Sequence, residues 1–199
     1  MSPKRWVFRS KQLTSVMRRM FIKQQDKKEK AMFKRLLLRF RDVKTIGKLI
    51  PGADEQANIM GEEKPGAEHF VLSALNLEDG TAMRAFDRFG IDSKKFQNAI
   101  KAQYDEALSS VGIRGHATET EAEPIKSDKI FHDSQPSGHG LMKSLYALKK
   151  EDKNRPLQGA HVIIAAASIE FGVVPRAFKV LGVNRESLAK AAREELVSI

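Results

Sequence analysis

Two histidines are the first side chains to weigh for chemistry. His69 and His161 each open an apolar run, His69-Phe70-Val71-Leu72 and His161-Val162-Ile163-Ile164. A histidine on a helix serves as base or metal ligand with partners one turn away, yet i+3 and i+4 are Leu72 and Ser73 in one run and Ile164 and Ala165 in the other. A partly buried imidazole hydrogen-bonded to backbone is therefore expected at both. His116, His132 and His139 stand in a polar stretch without the acidic spacing of a metal site, so no metal is expected. Cysteine is absent, which excludes disulfides, thiol nucleophiles and thiolate metal sites. No Gly-x-x-x-x-Gly-Lys-Ser/Thr loop is present to cradle a nucleotide phosphate. With no nucleophile, base and orienting group together, the sequence predicts a non-enzymatic protein without a cofactor.

Two arginines recur as well. Arg84 and Arg176 each precede Ala-Phe, and each is either an exposed or ion-paired arginine beside a core phenylalanine or one of two symmetric contacts for an anion or peptide, which the planar guanidinium suits. Glu68, directly before His69, stands near a predicted helix start, where a solvated carboxylate is favoured by the helix dipole.

The elements that hold these residues come from an internal duplication. A shift of 92 positions superposes 69–96 on 161–188 without a gap, with eight identities: His69/His161, Ala74/Ala166, Glu78/Glu170, Gly80/Gly172, Arg84/Arg176, Ala85/Ala177, Phe86/Phe178 and Gly90/Gly182. In each copy a helix is expected from the histidine to Gly80 or Gly172. A short helix with Arg-Ala-Phe follows, ending at Gly90 or Gly182, and then a helix capped by Asp92 or Asn184 over about 93–109 and 185–197. A further helix is expected ahead of each histidine, at about 53–61 and 139–152. No stretch has the alternating β-branched pattern of a strand. The fold class is all-α: two four-helix units in tandem, related by a pseudo-two-fold axis.

Charge divides the chain differently. The net charge of +10 is concentrated at the start, where residues 1–50 carry 16 Lys+Arg against three acids. An amphipathic helix is predicted over 11–25 and another over about 28–40, joined at Gln24-Gln25-Asp26 and ended by Pro51-Gly52. The division expected is a basic helical arm at 1–44, a first repeat at 45–111, a polar linker at 112–138 and a second repeat at 139–199. Three readings of the arm stand side by side: a hairpin packed through its apolar face on the repeats or another chain, a nucleic-acid contact, and attachment to an anionic membrane. For the last two, Arg18, Arg19, Lys23, Lys34 and Arg35 would make the contact. No run of about 18 apolar residues marks a membrane span, and no secretory signal opens the chain. A cytoplasmic location is expected, in keeping with the absence of cysteine.

The repeat residues resemble a known family. Gly61, then Pro65-Gly66-Ala67-Glu68-His69-Phe70-Val71-Leu72, Glu78-Asp79-Gly80 and Ala85-Phe86-Asp87-Arg88-Phe89-Gly90-Ile91-Asp92 are similar to the Clp repeat found at the N-terminus of Clp-type AAA+ unfoldases. Ala160-His161-Val162-Ile163-Ile164 and Phe178-Lys179-Val180-Leu181-Gly182-Val183-Asn184 resemble its second copy. The resemblance spans about 45–197 and implies a protein-binding module, an adaptor or regulator whose partners are Clp unfoldase or protease components, their substrates or their adaptors. The chain is expected to stand alone, without ATPase modules. The family also implies that the glutamate before the histidine helps recognise phosphorylated arginine. That residue is Glu68 in the first copy and is replaced by Ala160 in the second. The threonine usual before that glutamate is replaced by Ala67 and Gly159, which removes a capping hydroxyl.

Overall fold

The protein is described by a computed structural model that gives backbone for residues 3–110 and 134–197, and side-chain environments for residue 30, 32–106, 109 and 134–196. Eight helices and no strand occur among the described residues: α1 (Pro3–Ile59), α2 (Ala67–Leu75), α3 (Thr81–Asp87), α4 (Ser93–Ser110), α5 (Pro136–Glu151), α6 (Gly159–Ala167), α7 (Val173–Val180) and α8 (Arg185–Val197). The chain divides into two units, Met1–Arg41 and Asp42–Ile199.

Within the second unit the 92-residue register is kept element by element. The starts of α2 and α6, of α3 and α7, and of α4 and α8 differ by that shift, and α1 and α5 end at positions it relates. The backbone thus shows two editions of one four-helix unit, the end of α1 serving as the first helix of the first. Pairing is crosswise: α3 packs on α8, α4 on α7, and α2 on α6. The interface is the core. Leu49 and Leu141, Leu72 and Ile164, Phe86 and Phe178, and Phe96 and Leu188 are shift-related and buried. Burying each such side chain is worth about 1.5–3 kcal/mol, which outweighs the weak intrinsic preference of seven- to nine-residue helices.

Three local expectations are corrected. The joint at Gln24-Gln25-Asp26 is helical, because no glycine or proline interrupts residues 4–46 and glutamine is a good helix former. Pro51 does not end the helix; it lies inside α1. A proline there leaves the Gly47 carbonyl without its donor, and Gly47 and Pro51 are exposed, so that face of the helix is open to solvent. Meanwhile Leu49, Ala53 and Ala57 on the other face are buried, and the Leu49 carbonyl accepts a hydrogen bond from the Ser73 hydroxyl at 2.8 Å. Finally, α2 stops at Leu75, well before Gly80. Gly80 instead precedes α3 with a left-handed φ of 63°, which glycine adopts without a Cβ clash. The caps at Asp92 and Asn184 form as expected: their Oδ1 atoms accept from the Lys95 and Ser187 N–H groups at 2.7 and 2.9 Å. α5 begins at Pro136, inside the stretch read from sequence as linker.

Candidate functional site

The starts of α2 and α6 hold the histidines and the position of Glu68. Each imidazole turns back over its own helix start. The Gly66 N–H donates to His69 Nδ1 at 2.9 Å and the Gln158 N–H donates to His161 Nδ1 at 3.2 Å. An accepting Nδ1 puts the proton of the neutral ring on Nε2. Both Nε2 atoms are buried without a hydrogen-bond partner, the nearest carboxylate oxygen to His161 being Asp152 Oδ2 at 3.7 Å. Burial lowers both basicities, that of His69 to a pKa of about 4. These are neutral structural imidazoles.

Glu68 is 1% exposed. Its carboxylate accepts from the Tyr104 hydroxyl of α4 at 3.0 Å and lies against Gly66, where a Cβ would collide with it. Burial raises its pKa, and raises that of Tyr104 too. At the related position Ala160 is fully buried. The α6 start nevertheless has a carboxylate. Asp79, from the turn before α3, accepts from the Gly159 N–H at 3.0 Å, and the Thr81 hydroxyl accepts from the Ala160 N–H at 2.8 Å. At α2 the Ser137 hydroxyl accepts from the Ala67 N–H at 3.2 Å. The hydroxyls absent from positions 67 and 159 are thus supplied by the opposite repeat. Both helix starts hold a carboxylate of the chain itself where the dipole favours negative charge.

The two arginines differ. Arg84 Nε donates to Glu195 at 2.6 Å, and its Nη1 donates to the Asp79 carbonyl at 3.2 Å. Arg88 donates to Glu194 and Glu195, and the hydrogen bond from Arg84 leads the effects that hold the Glu195 carboxyl below the usual range. Arg176 is exposed on α7 and, among the described residues, has no carboxylate partner. It lines a cleft of about 450 Å³ with Phe171, Pro175, Lys179, Asn184 and Arg185. Phe171 is 84% exposed, and Arg185 is anchored by donating to the Ile169 carbonyl. The structure therefore does not bring Glu68, Arg84 and Arg176 together: one is enclosed, one is ion-paired, one faces a cleft. Asp79, Tyr104, Phe171, Lys179 and Arg185 were not singled out from sequence. They stand at positions that differ across the 92-residue shift, where no identity marks them.

Of the arm cations, Arg18, Arg19 and Lys23 lie outside the residues whose side chains are described. Lys34 and Arg35 are exposed, as are Met32, Phe33, Leu36, Leu37 and Phe40 on the same helix. Among the described residues no helix is long and apolar enough to cross a membrane, and no group of three or more His, Cys, Asp or Glu side chains is placed to hold a metal ion.

Neither a family model nor a curated protein matches the chain. Among solved structures it is similar to the N-terminal domain of the caseinolytic protease associated chaperone ClpD from Arabidopsis thaliana, at 16% identity and a TM-score of 0.51. The match covers 79% of this chain and 92% of the other. With the paired helix starts and crosswise core, this likeness identifies the architecture as the Clp N-terminal-domain fold.

Proposed function

We propose that the protein is a non-enzymatic binding module that brings a protein partner to a Clp-type ATP-dependent unfoldase, as adaptor or regulator. One observation carries this reading: residues 42–199 contain both four-helix repeats of the fold seen in a domain of a protease-associated chaperone. The arrangement of its polar groups agrees. Buried Glu68, His69 and His161 and half-buried Asp79 are spent on fixing helix starts, and the chemically open groups are exposed cations beside apolar surface, which suits docking. Phosphoarginine recognition by Glu68 would require its bond with Tyr104 to open, so Arg176 is the better-placed contact.

A second reading has its own support. The exposed Met32, Phe33, Leu36, Leu37 and Phe40 beside Lys34 and Arg35 suit an anionic membrane surface or a nucleic acid. One experiment separates the two. The full chain, immobilised, is offered purified Clp ATPase, duplex DNA and phosphatidylserine vesicles at 0.05 and 0.3 M salt. The first reading predicts retention of the ATPase at both salts. Retention of DNA or vesicles alone, lost at the higher salt and in a Lys34→Gln/Arg35→Gln variant, would establish the second and sink the first.

A further inference from the structure

The duplication allows each repeat to serve as a control for the other. The helices keep a common register, so α3 and α7 can be compared side chain by side chain, whereas the turns before them differ: Gly80 stands at φ 63°, ψ 4° and Gly172 at φ 111°, ψ −165°. On α3 and its flanking turns, Glu78, Asp79, Arg84, Asp87, Asp92 and Ser93 give a surface that is acidic in sum. Across the shift these become Glu170, Phe171, Arg176, Lys179, Asn184 and Arg185, which are basic in sum and carry an exposed aromatic ring.

The supporting partner helix changes too. Arg84 is neutralised by Glu195 of α8 at 2.6 Å, and Arg88 by Glu194 and Glu195. The crosswise packing puts α4 against α7 as α8 stands against α3. On α4 the positions related to Glu194 and Glu195 are Ala102 and Gln103. The first repeat closes its arginine with an internal carboxylate, and the second leaves Arg176 without one. The cleft beside Arg176 is lined also by Lys179 on the same helix, by Arg185 and by Phe171, Pro175 and Val183, with Glu170 as its one acid.

We propose that this cleft is a binding site for an extended acidic peptide segment with a large apolar residue among its carboxylates. The cations supply charge complementarity, with Arg176 offering a planar fork to a carboxylate, and Phe171 and Pro175 receive the apolar side chain. The proposal rests on the protein-binding reading and names the class of partner surface. A nucleic-acid backbone would meet the cations but leave the ring and proline unused.

The test is fluorescence anisotropy of the full chain with a labelled nine-residue peptide alternating glutamate and leucine, and with its lysine–leucine counterpart. The glutamate peptide should bind and the lysine peptide should not. Arg176→Glu and Lys179→Glu should each weaken binding by about tenfold or more, as loss of one close charge pair does. Phe171→Ala should weaken it several-fold. Lys153→Glu, an exposed site elsewhere with the same change in net charge, should leave it unaltered. Gln103→Glu places a carboxylate at the position related to Glu195, beside Glu106, to which the Gln103 amide donates at 3.4 Å, and should weaken binding without touching the cleft rim. Circular dichroism of each variant checks the fold. Equal binding of both peptides, insensitivity to Arg176→Glu, or loss on Lys153→Glu equal to that on Arg176→Glu would overturn the proposal. So would self-association of the chain, seen by sedimentation, that is abolished by Arg176→Glu while the peptide does not bind. Retention of the Clp ATPase by a chain that ignores the peptide refutes the cleft alone, and peptide binding without ATPase retention refutes the unfoldase reading alone.

Discussion

At the residue scale, the buried ionisable groups oppose each other in their dependence on pH. His69 is fully buried with a pKa of about 4, against 6.5 for the free side chain. The native state therefore binds fewer protons than the unfolded chain between those values, and stability present above pH 6.5 is lost as the pH falls toward 4. From His69 alone the loss reaches about 3 kcal/mol at the lower end, and burial of His161 acts in the same direction. Glu68 has a raised pKa, so its ionisation in the folded state disfavours folding as pH rises, and its protonation at low pH relieves that. Glu68→Gln keeps an acceptor for Tyr104 and removes this counterweight. Urea unfolding should accordingly show the wild type weakening from pH 7 to 4.5, and the Gln variant weakening more steeply over the same range. Imidazole carbon resonances of His69 that titrate near 6.5 would contradict the burial argument. The histidines' part in this was legible in the sequence, since a lone histidine opening an apolar run has few roles open to it. The enclosure of Glu68 was not: it depends on Tyr104, 36 positions away, and on the absence of a side chain at Gly66.

At the element scale, the starts of α2 and α6 do the same work with different residues. Ala67 and Gly159 are shift-related first residues of their helices, both buried. A Cβ on Gly159 would lie 2.9 Å from the Ala74 carbonyl oxygen and 2.9 Å from Ala82 Cβ, closer than packing permits. Gly159→Ala should thus push α6 from α2 and α3, stretch the hydrogen bonds from the Gly159 and Ala160 N–H groups to Asp79 and Thr81, and destabilise by about 1–3 kcal/mol. The reverse change, Ala67→Gly, should cost less than that, removing only a methyl group and some helix preference. Thermal denaturation compares the two, and an equal effect would mean that the close approach at α6 is not used. Helix order and identity were readable from the duplicated glycines and from apolar spacing. Helix ends were less so, for a physical reason. The passage of α1 through Pro51 depends on Leu49, Ala53 and Ala57 being buried against partners distant in sequence, and a local rule for proline has no access to that burial. Likewise, the capping of α6 by Asp79 and Thr81 is a contact between repeats, which no spacing within either repeat announces.

At the scale of the whole molecule, the crosswise packing makes two repeats into one core. Phe86 of α3, Phe96 of α4 and Phe178 of α7 meet with ring centroids 5.5, 6.2 and 5.6 Å apart, and all three are fully buried. Two rings come from the first repeat and one from the second, so neither repeat keeps a filled interior without the other. Such pairs contribute about 0.5–1.5 kcal/mol each beyond their area, and a phenylalanine truncated in a close-packed core costs about 3–5 kcal/mol. Phe178→Ala should therefore destabilise by that amount although the change lies in the second repeat alone, and it should do so for both repeats together. The two tyrosines allow a direct check, since Tyr104 lies on α4 of the first repeat and Tyr146 on α5 of the second. With fluorinated tyrosine, the signals of both should pass through one coincident urea transition in the wild type, and both midpoints should move down by the same interval in Phe178→Ala. A variant in which Tyr146 responds early while Tyr104 holds its wild-type midpoint would show two repeats folding separately, as stacked modules do. Coincidence would mean that the surface carrying Arg176 and the surface carrying Arg84 are positioned by the same buried rings, so that a docking cleft on one repeat is held in shape by the core of both.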